Sequence, residues 1–225
     1  MIIVMDVHQV IGERELDFED TYRDVYLPEV GSAGDARLLW FGWSPHGGGE
    51  GYEAVTLTAY RDIEAWDGYS ERLRYGDLAE WATDVDAMRY TLHTSVHVPA
   101  DWSPLASLDL AGVPTAVQEH DPVLMRLDSI EPNGSLDDLQ AALAKAAADH
   151  DGRLLELVGS WSSCFGDAAG DAVHVLYRVA DRNELAAALG HQDASSTWPG
   201  SLASAIDRPA TRTRLLRMVR WSPLA

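Results

Sequence analysis

The pentapeptide Trp102-Ser103-Pro104-Leu105-Ala106 returns as Trp221-Ser222-Pro223-Leu224-Ala225, an offset of 119 in a chain of 225 residues. Fainter echoes keep the same order and nearly the same spacing. Arg37-Leu38-Leu39 matches Arg153-Leu154-Leu155 at 116, Trp43-Ser44 matches Trp161-Ser162 at 118, Ala54-Val55 matches Ala172-Val173 at 118, and Leu16-Asp17 matches Leu136-Asp137 at 120. Ordered self-similarity at one period means a single structural unit used twice. The division that follows is a first unit over residues 1–99, a linker over 100–121 that carries Pro104 and Pro114, and a second unit over 122–225.

Within the first unit the apolar pattern switches period in a fixed order. Ile2 to Val10 alternates on a period of two, Leu16 to Tyr26 has helical spacing and stops at Leu27-Pro28, and Arg37 to Ser44 and Glu53 to Tyr60 are strand-like around Gly47-Gly48-Gly49. Helical patterning then runs from Asp62 to Met88, with breaks at Gly68 and Gly76, before alternation resumes over Tyr90 to Val98. The order is βαββαβ. The second unit repeats it as Val123 to Ser129, a helix from Ser135 to Gly152, Arg153 to Trp161, Val173 to Arg178, a helix near Glu184, and Thr211 to Trp221. A four-stranded antiparallel sheet with helices on one face leaves the other bare, and two such units cover each other's bare faces.

The strands Ile2 to Val10, Leu38-Leu39-Trp40-Phe41-Gly42-Trp43 and Val55 to Asp62, the last leading into a Trp-bearing helix, carry a resemblance. In these the chain resembles the dimeric α/β-barrel superfamily of ferredoxin-like proteins, NIPSNAP-like and antibiotic-biosynthesis-monooxygenase-like members above all, as a fused tandem repeat. The resemblance implies an α+β fold with two antiparallel sheets packed face to face as a barrel. It also implies a cofactor-independent enzyme of secondary metabolism. Such an enzyme acts on a hydrophobic, aromatic, polyketide-like molecule by acid/base-assisted oxygenation, cyclisation or isomerisation. The alternatives are a non-catalytic binding module or a haem- or metal-binding protein. Members of the superfamily pair as dimers, so a homodimer of this chain is a further partner to consider.

Composition narrows the partners. The formal charge of −19, from 36 acidic and 17 basic residues spread along the chain, repels a phosphate backbone or an anionic membrane. No apolar run approaches the roughly 20 residues needed to cross a bilayer, and Met1 to Val10 lacks the basic start of a signal peptide. The single Cys164 can form no internal disulfide, which fits a cytoplasmic protein. Every basic residue except Lys145 is arginine, which leaves little scope for a Schiff base, and no phosphate-cradling glycine motif follows a strand. No nicotinamide, flavin or pyridoxal cofactor is therefore expected.

Strand parity suggests the chemistry. Asp6 and His8, then Thr56, Thr58 and Tyr60, then His93, Ser95 and His97 form the polar sets of three strands, opposite apolar sets such as Met5, Val7, Val55 and Leu57. If the apolar sets meet the helices, the polar sets line the barrel. With the third strand taken as parallel to the first, His8, Tyr60 and His93 converge at one edge as a catalytic cluster, a histidine acting as general acid or base. Trp43, Thr58, Ser95, His97 and Trp161 are the substrate-binding candidates, while Trp66 and Trp81 at helical spacing suit core packing. No metal site is expected: His93 and His97 lie about 13 Å apart along a strand, too far to share an ion. The second unit lacks these residues, and its His174 and Cys164 have no counterparts in the first, so one working site in the first unit is expected. Arg126, Asp128, Glu156, Arg178, Arg212 and Arg214 suggest internal ion pairs instead.

Overall fold

The structure is a computed structural model that describes residues 1–48, 50–148, 154–166, 172–183 and 212–225. Four strands come from the first unit, β1 (Ile2–Val10), β2 (Ala36–Trp43), β3 (Glu53–Tyr60) and β4 (Arg89–Pro99). Four come from the second, β5 (Leu124–Ile130), β6 (Leu155–Gly166), β7 (Val173–Val179) and β8 (Arg212–Met218). They close into one antiparallel barrel in the order β1-β3-β2-β8-β5-β7-β6-β4. Cut at its two seams, the barrel falls into β4-β1-β3-β2 and β8-β5-β7-β6, which is the same order of corresponding strands twice. The helix expected near Glu184 lies outside the described residues, as do Gly49, Gly152, Arg153 and Thr211.

Three helical segments cover the first sheet. The first combines α1 (Glu15–Thr21), a π turn over Tyr22–Tyr26 and α2 (Leu27–Val30). The sequence suggests a stop at Leu27-Pro28, yet the helix continues to Val30. The wider π turn just before Pro28 accommodates a residue that lacks an N–H and would crowd the carbonyl one turn back. The other two are α3 (Ile63–Tyr75), which runs through Gly68 and ends at Gly76, and α4 (Ala79–Asp86). Asp62 caps α3 by accepting from the Ala65 N–H. In the second unit α5 (Leu136–Ala148) lies over its sheet, with Leu139 and Leu143 buried. Among the described residues no helix is long and apolar enough to cross a membrane.

The barrel interior is the apolar core that both units share. Ile3, Met5, Leu57, Leu127, Leu176 and Leu216 are buried there, and each large aliphatic chain taken out of water contributes roughly 1.5–3 kcal/mol. The expected assignment of faces is thereby inverted for β1 and β3: their apolar sets fill the barrel, while Asp6, His8, Thr56, Thr58 and Tyr60 lie beneath the helices.

The repeated pentapeptide explains how the units are joined. Each copy leaves the last strand of its own unit and crosses to the other. Ser103 Oγ accepts the Ser160 N–H of β6 at 2.8 Å, and Ser222 Oγ accepts the Phe41 N–H of β2 at 3.1 Å. The indole of Trp102 donates to Gln140 on α5 at 2.9 Å, and that of Trp221 donates to Glu19 on α1 at 3.2 Å. Leu105 and Leu224 then turn into the barrel and plug one end of it. Each tryptophan thus fastens its segment to the opposite unit's helix, and the leucines do the filling.

Candidate active site

The opposite end holds a cavity of about 840 Å³. Its wall draws on both units, with Met5 and Val7 of β1, Glu53 of β3 and His93 and Ser95 of β4 facing Ser129, His174, Arg212 and Arg214. A site confined to the first unit does not describe this arrangement. Hydrogen-bonded strands with side chains directly opposite place the pairs Met5–Ser95 and Val7–His93 on the inner face.

The proposed trio does not converge. His8 stands opposite Leu92 and His93 opposite Val7, so the two histidines project to opposite faces of the β1/β4 ladder. Because β3 is antiparallel to β1, Tyr60 stands opposite Ile2 and Ala54 opposite His8, which puts Tyr60 at the far end of the strand. Of the three, only His93 lines the cavity. Among the substrate-binding candidates, Ser95 lines it, and His97 and Trp161 are buried in the barrel. Thr58 and Trp43 lie on the helix side, where the Trp43 indole donates to Glu19 at 2.9 Å.

His8 belongs to a polar layer between sheet and helix. Arg89 donates to its Nδ1 at 2.8 Å, and since a guanidinium can only donate, Nδ1 carries no proton. The Nε2–H then faces Thr56 Oγ1 and the Tyr22 hydroxyl, each 3.4 Å away. Burial and the Arg89 charge hold the imidazole well below its ordinary pKa. Tyr26, hydrogen-bonded to Thr58 Oγ1 at 2.9 Å, is pushed up to about 12 by burial. His8, Tyr22 and Tyr26 are held in their neutral forms beside the Arg89 cation, and together they make a structural layer on the far side of the sheet from the cavity.

Sequence reasoning set the second unit's Arg212, Arg214 and His174 outside the site, and the structure places all three in the cavity wall. His174 accepts or donates at both nitrogens, to Ser129 Oγ at 2.9 Å and Ser163 Oγ at 3.3 Å, and packs edge-on against His97 with centroids 4.9 Å apart. Trp161 lies beside both histidines. Burial takes His97 down to about 4; burial, with the nearby His97 and Arg214, takes His174 down to about 3. Both are neutral at physiological pH. Ser95 Oγ lies 2.7 Å from His97 Nε2.

Two ion pairs cross between the units at this end, Glu53–Arg214 at 3.0 Å and Glu50–Arg212 at 3.3 Å. Arg126–Asp128 at 2.9 Å and Arg178–Glu156 at 3.6 Å pair within the second unit. The lone Cys164 is exposed. Among the described residues no three His, Cys, Asp or Glu side chains are grouped as a metal site requires.

A closed eight-stranded antiparallel barrel made of two equivalent four-stranded sheets, each with its own helices outside, defines the dimeric α/β-barrel class within ferredoxin-like folds. No family model matches the sequence, and no curated protein does. Solved structures match over nearly the whole chain. A candidate monooxygenase from Lactobacillus acidophilus NCFM is 11% identical, with 97% of this chain and 93% of that one covered at a TM-score of 0.62. A second candidate monooxygenase, from Fusobacterium nucleatum, is 9% identical over 96% and 91% at 0.59, and an anthrone oxidase-like protein is 9% identical over 97% and 91% at 0.56. At these identities the likeness is one of fold.

Proposed function

We propose that this chain is a cofactor-independent, monooxygenase-like enzyme that takes a hydrophobic aromatic molecule into the inter-unit cavity. The observation that carries the reading is the cavity itself. A chamber of about 840 Å³ whose wall joins apolar side chains such as Met5 and Val7 to many polar and charged ones, His93, Glu53, His174 and Arg214 among them, has the size of a small-molecule site. His93, which lines the cavity from β4, is the group assigned to take a proton, because burial makes His97 and His174 weak bases. The names of the structural neighbours lend support from outside the chain.

In the reaction proposed, His93 removes a proton from a methylene carbon activated by an adjacent aromatic ring and carbonyl. The resulting carbanion is oxidised by O₂. One oxygen atom becomes a new carbonyl on that carbon, and the other leaves as water with the two methylene hydrogens. The same carbanion attacking a carbonyl of its own molecule would give cyclisation. The test is to incubate purified protein with an anthrone and follow O₂ uptake and quinone absorbance. O₂ consumption equal to quinone formed, without added metal or cofactor, supports the reading. Tight binding of the anthrone with no acceleration of its oxidation points to a sequestering module instead.

A further inference from the structure

Arg214 and Glu53 come from different units and meet in the cavity wall, with side chains 10% and 4% exposed. Arg214 donates from Nε to Glu53 Oε1 at 3.0 Å, and the same oxygen accepts from Ser44 Oγ at 3.0 Å. One edge of the guanidinium is therefore fixed. Its two Nη groups take no partner among the described residues, while the side chain lines the cavity. A guanidinium carries five N–H donors in a rigid plane, and an Nη edge left open matches an oxygen that bears negative charge. Held in place by Glu53 and largely withdrawn from bulk water, such donors favour a developing anion more than they would in free solution.

We propose that Arg214 is the oxyanion anchor of the cavity, its Nη groups holding the phenolate or enolate oxygen of an aromatic substrate while Glu53 and Ser44 fix the guanidinium in place. This rests on the reading of the cavity as an aromatic small-molecule site. It assigns the substrate class as aromatic hydroxyketones and their kin, molecules whose loss of a proton leaves charge on oxygen. The breaking C–H or O–H bond gives its proton to His93 or solvent, and its electron pair becomes the charge that Arg214 meets. Glu53 is a positioning residue. Arg212, already paired with Glu50 nearer the surface, is not part of the anchor.

Alizarin, a dihydroxyanthraquinone whose colour changes on ionisation, is the probe. Its titration is followed by absorbance while bound to the full-length protein. The expected result is that the bound phenol ionises at least one pH unit lower than in solution, a tenfold or greater gain in ionisation constant, since a neighbouring cation favours the charged form. Glu53→Gln, which keeps an acceptor for Nε, should retain that shift. Arg214→Met/Glu53→Gln, which removes both charges and so leaves no uncompensated carboxylate, should abolish it with the circular dichroism spectrum unchanged. Arg214→Lys should keep a reduced shift. Bound alizarin that titrates as in free solution, or a shift that survives in the double variant, overturns the anchor and leaves the aromatic site standing. Failure of alizarin to bind at all overturns both.

Discussion

Trp221 reaches back across the chain to Glu19, donating its indole N–H to one carboxylate oxygen at 3.2 Å while Trp43 donates to the other at 2.9 Å. One half-buried carboxylate thus ties the C-terminal segment and β2 to α1. Glu19→Ala leaves two indoles unpaired and should lower stability by about 1–3 kcal/mol in urea unfolding. Gln140→Ala, which releases only Trp102, should cost less. Equal losses would mean that the two fastenings are not the source of the effect.

Substitutions at the two histidines of the β1/β4 ladder should separate chemistry from stability. His93→Gln should lower turnover of an anthrone by roughly 10²–10⁴-fold with little change in the melting transition. His8→Gln should do the reverse, because His8 is fully buried among Phe18, Tyr22, Thr56 and Arg89 on the helix side. A large turnover loss in His8→Gln at unchanged stability would count against a purely structural layer.

Acid should destabilise the fold through the barrel histidines. His97 and His174 titrate near 4 and 3 when folded, against an ordinary value of 6.5, so the unfolded chain binds the extra protons. Their contribution is fully present above about pH 6.5. It falls as the pH drops from there towards 4, by up to about 1.4 kcal/mol per pH unit for each histidine. Asp6 and Asp128, pushed up by burial, act in the opposite sense, so the comparison is between wild type and variant. His174→Asn should flatten the dependence of urea midpoint on pH between 6.5 and 4.5.

Gly159 lies against the plug. A Cβ there would meet Leu105 Cδ1 at 2.6 Å, so Gly159→Ala should cost about 1–3 kcal/mol, and Leu105→Ala in the same chain should recover much of it. Strict additivity of the two changes, measured by a double-mutant cycle, would show that the contact is relieved elsewhere.

Pattern along the chain was sufficient for the architecture, because the repeat and the alternation of periods are local properties. The site depended on register, which is not. A crossover through α1 makes β2 parallel to β1, and the β2–β3 hairpin then makes β3 antiparallel to it, so Tyr60 falls beside Ile2 and not beside His8. Polarity was also a poor guide to the interior. Phenols from the helix layer and the Arg89 guanidinium from β4 satisfy His8, Thr56 and Thr58, while the larger core enclosed by two sheets is the one that must be dry. On β4 the polar set His93, Ser95 and His97 does point inward, while Arg89 and Val96 of the same strand serve the helix side. Arg214, expected in an internal ion pair, and His174, without a counterpart in the first unit, take their place in the cavity only through Glu53 and His97 from the other unit.

Leu105 and Leu224 leave the barrel with one working end. An aromatic substrate of the kind proposed would enter leading edge first towards His174, behind which His97 and Trp161 are packed, with its trailing edge near Glu50 and Arg212. On that proposal the chamber would sort its guests by length as well as by polarity: a ring system too long for it would leave its reactive carbon outside the reach of His93, and one too short would pass beyond it.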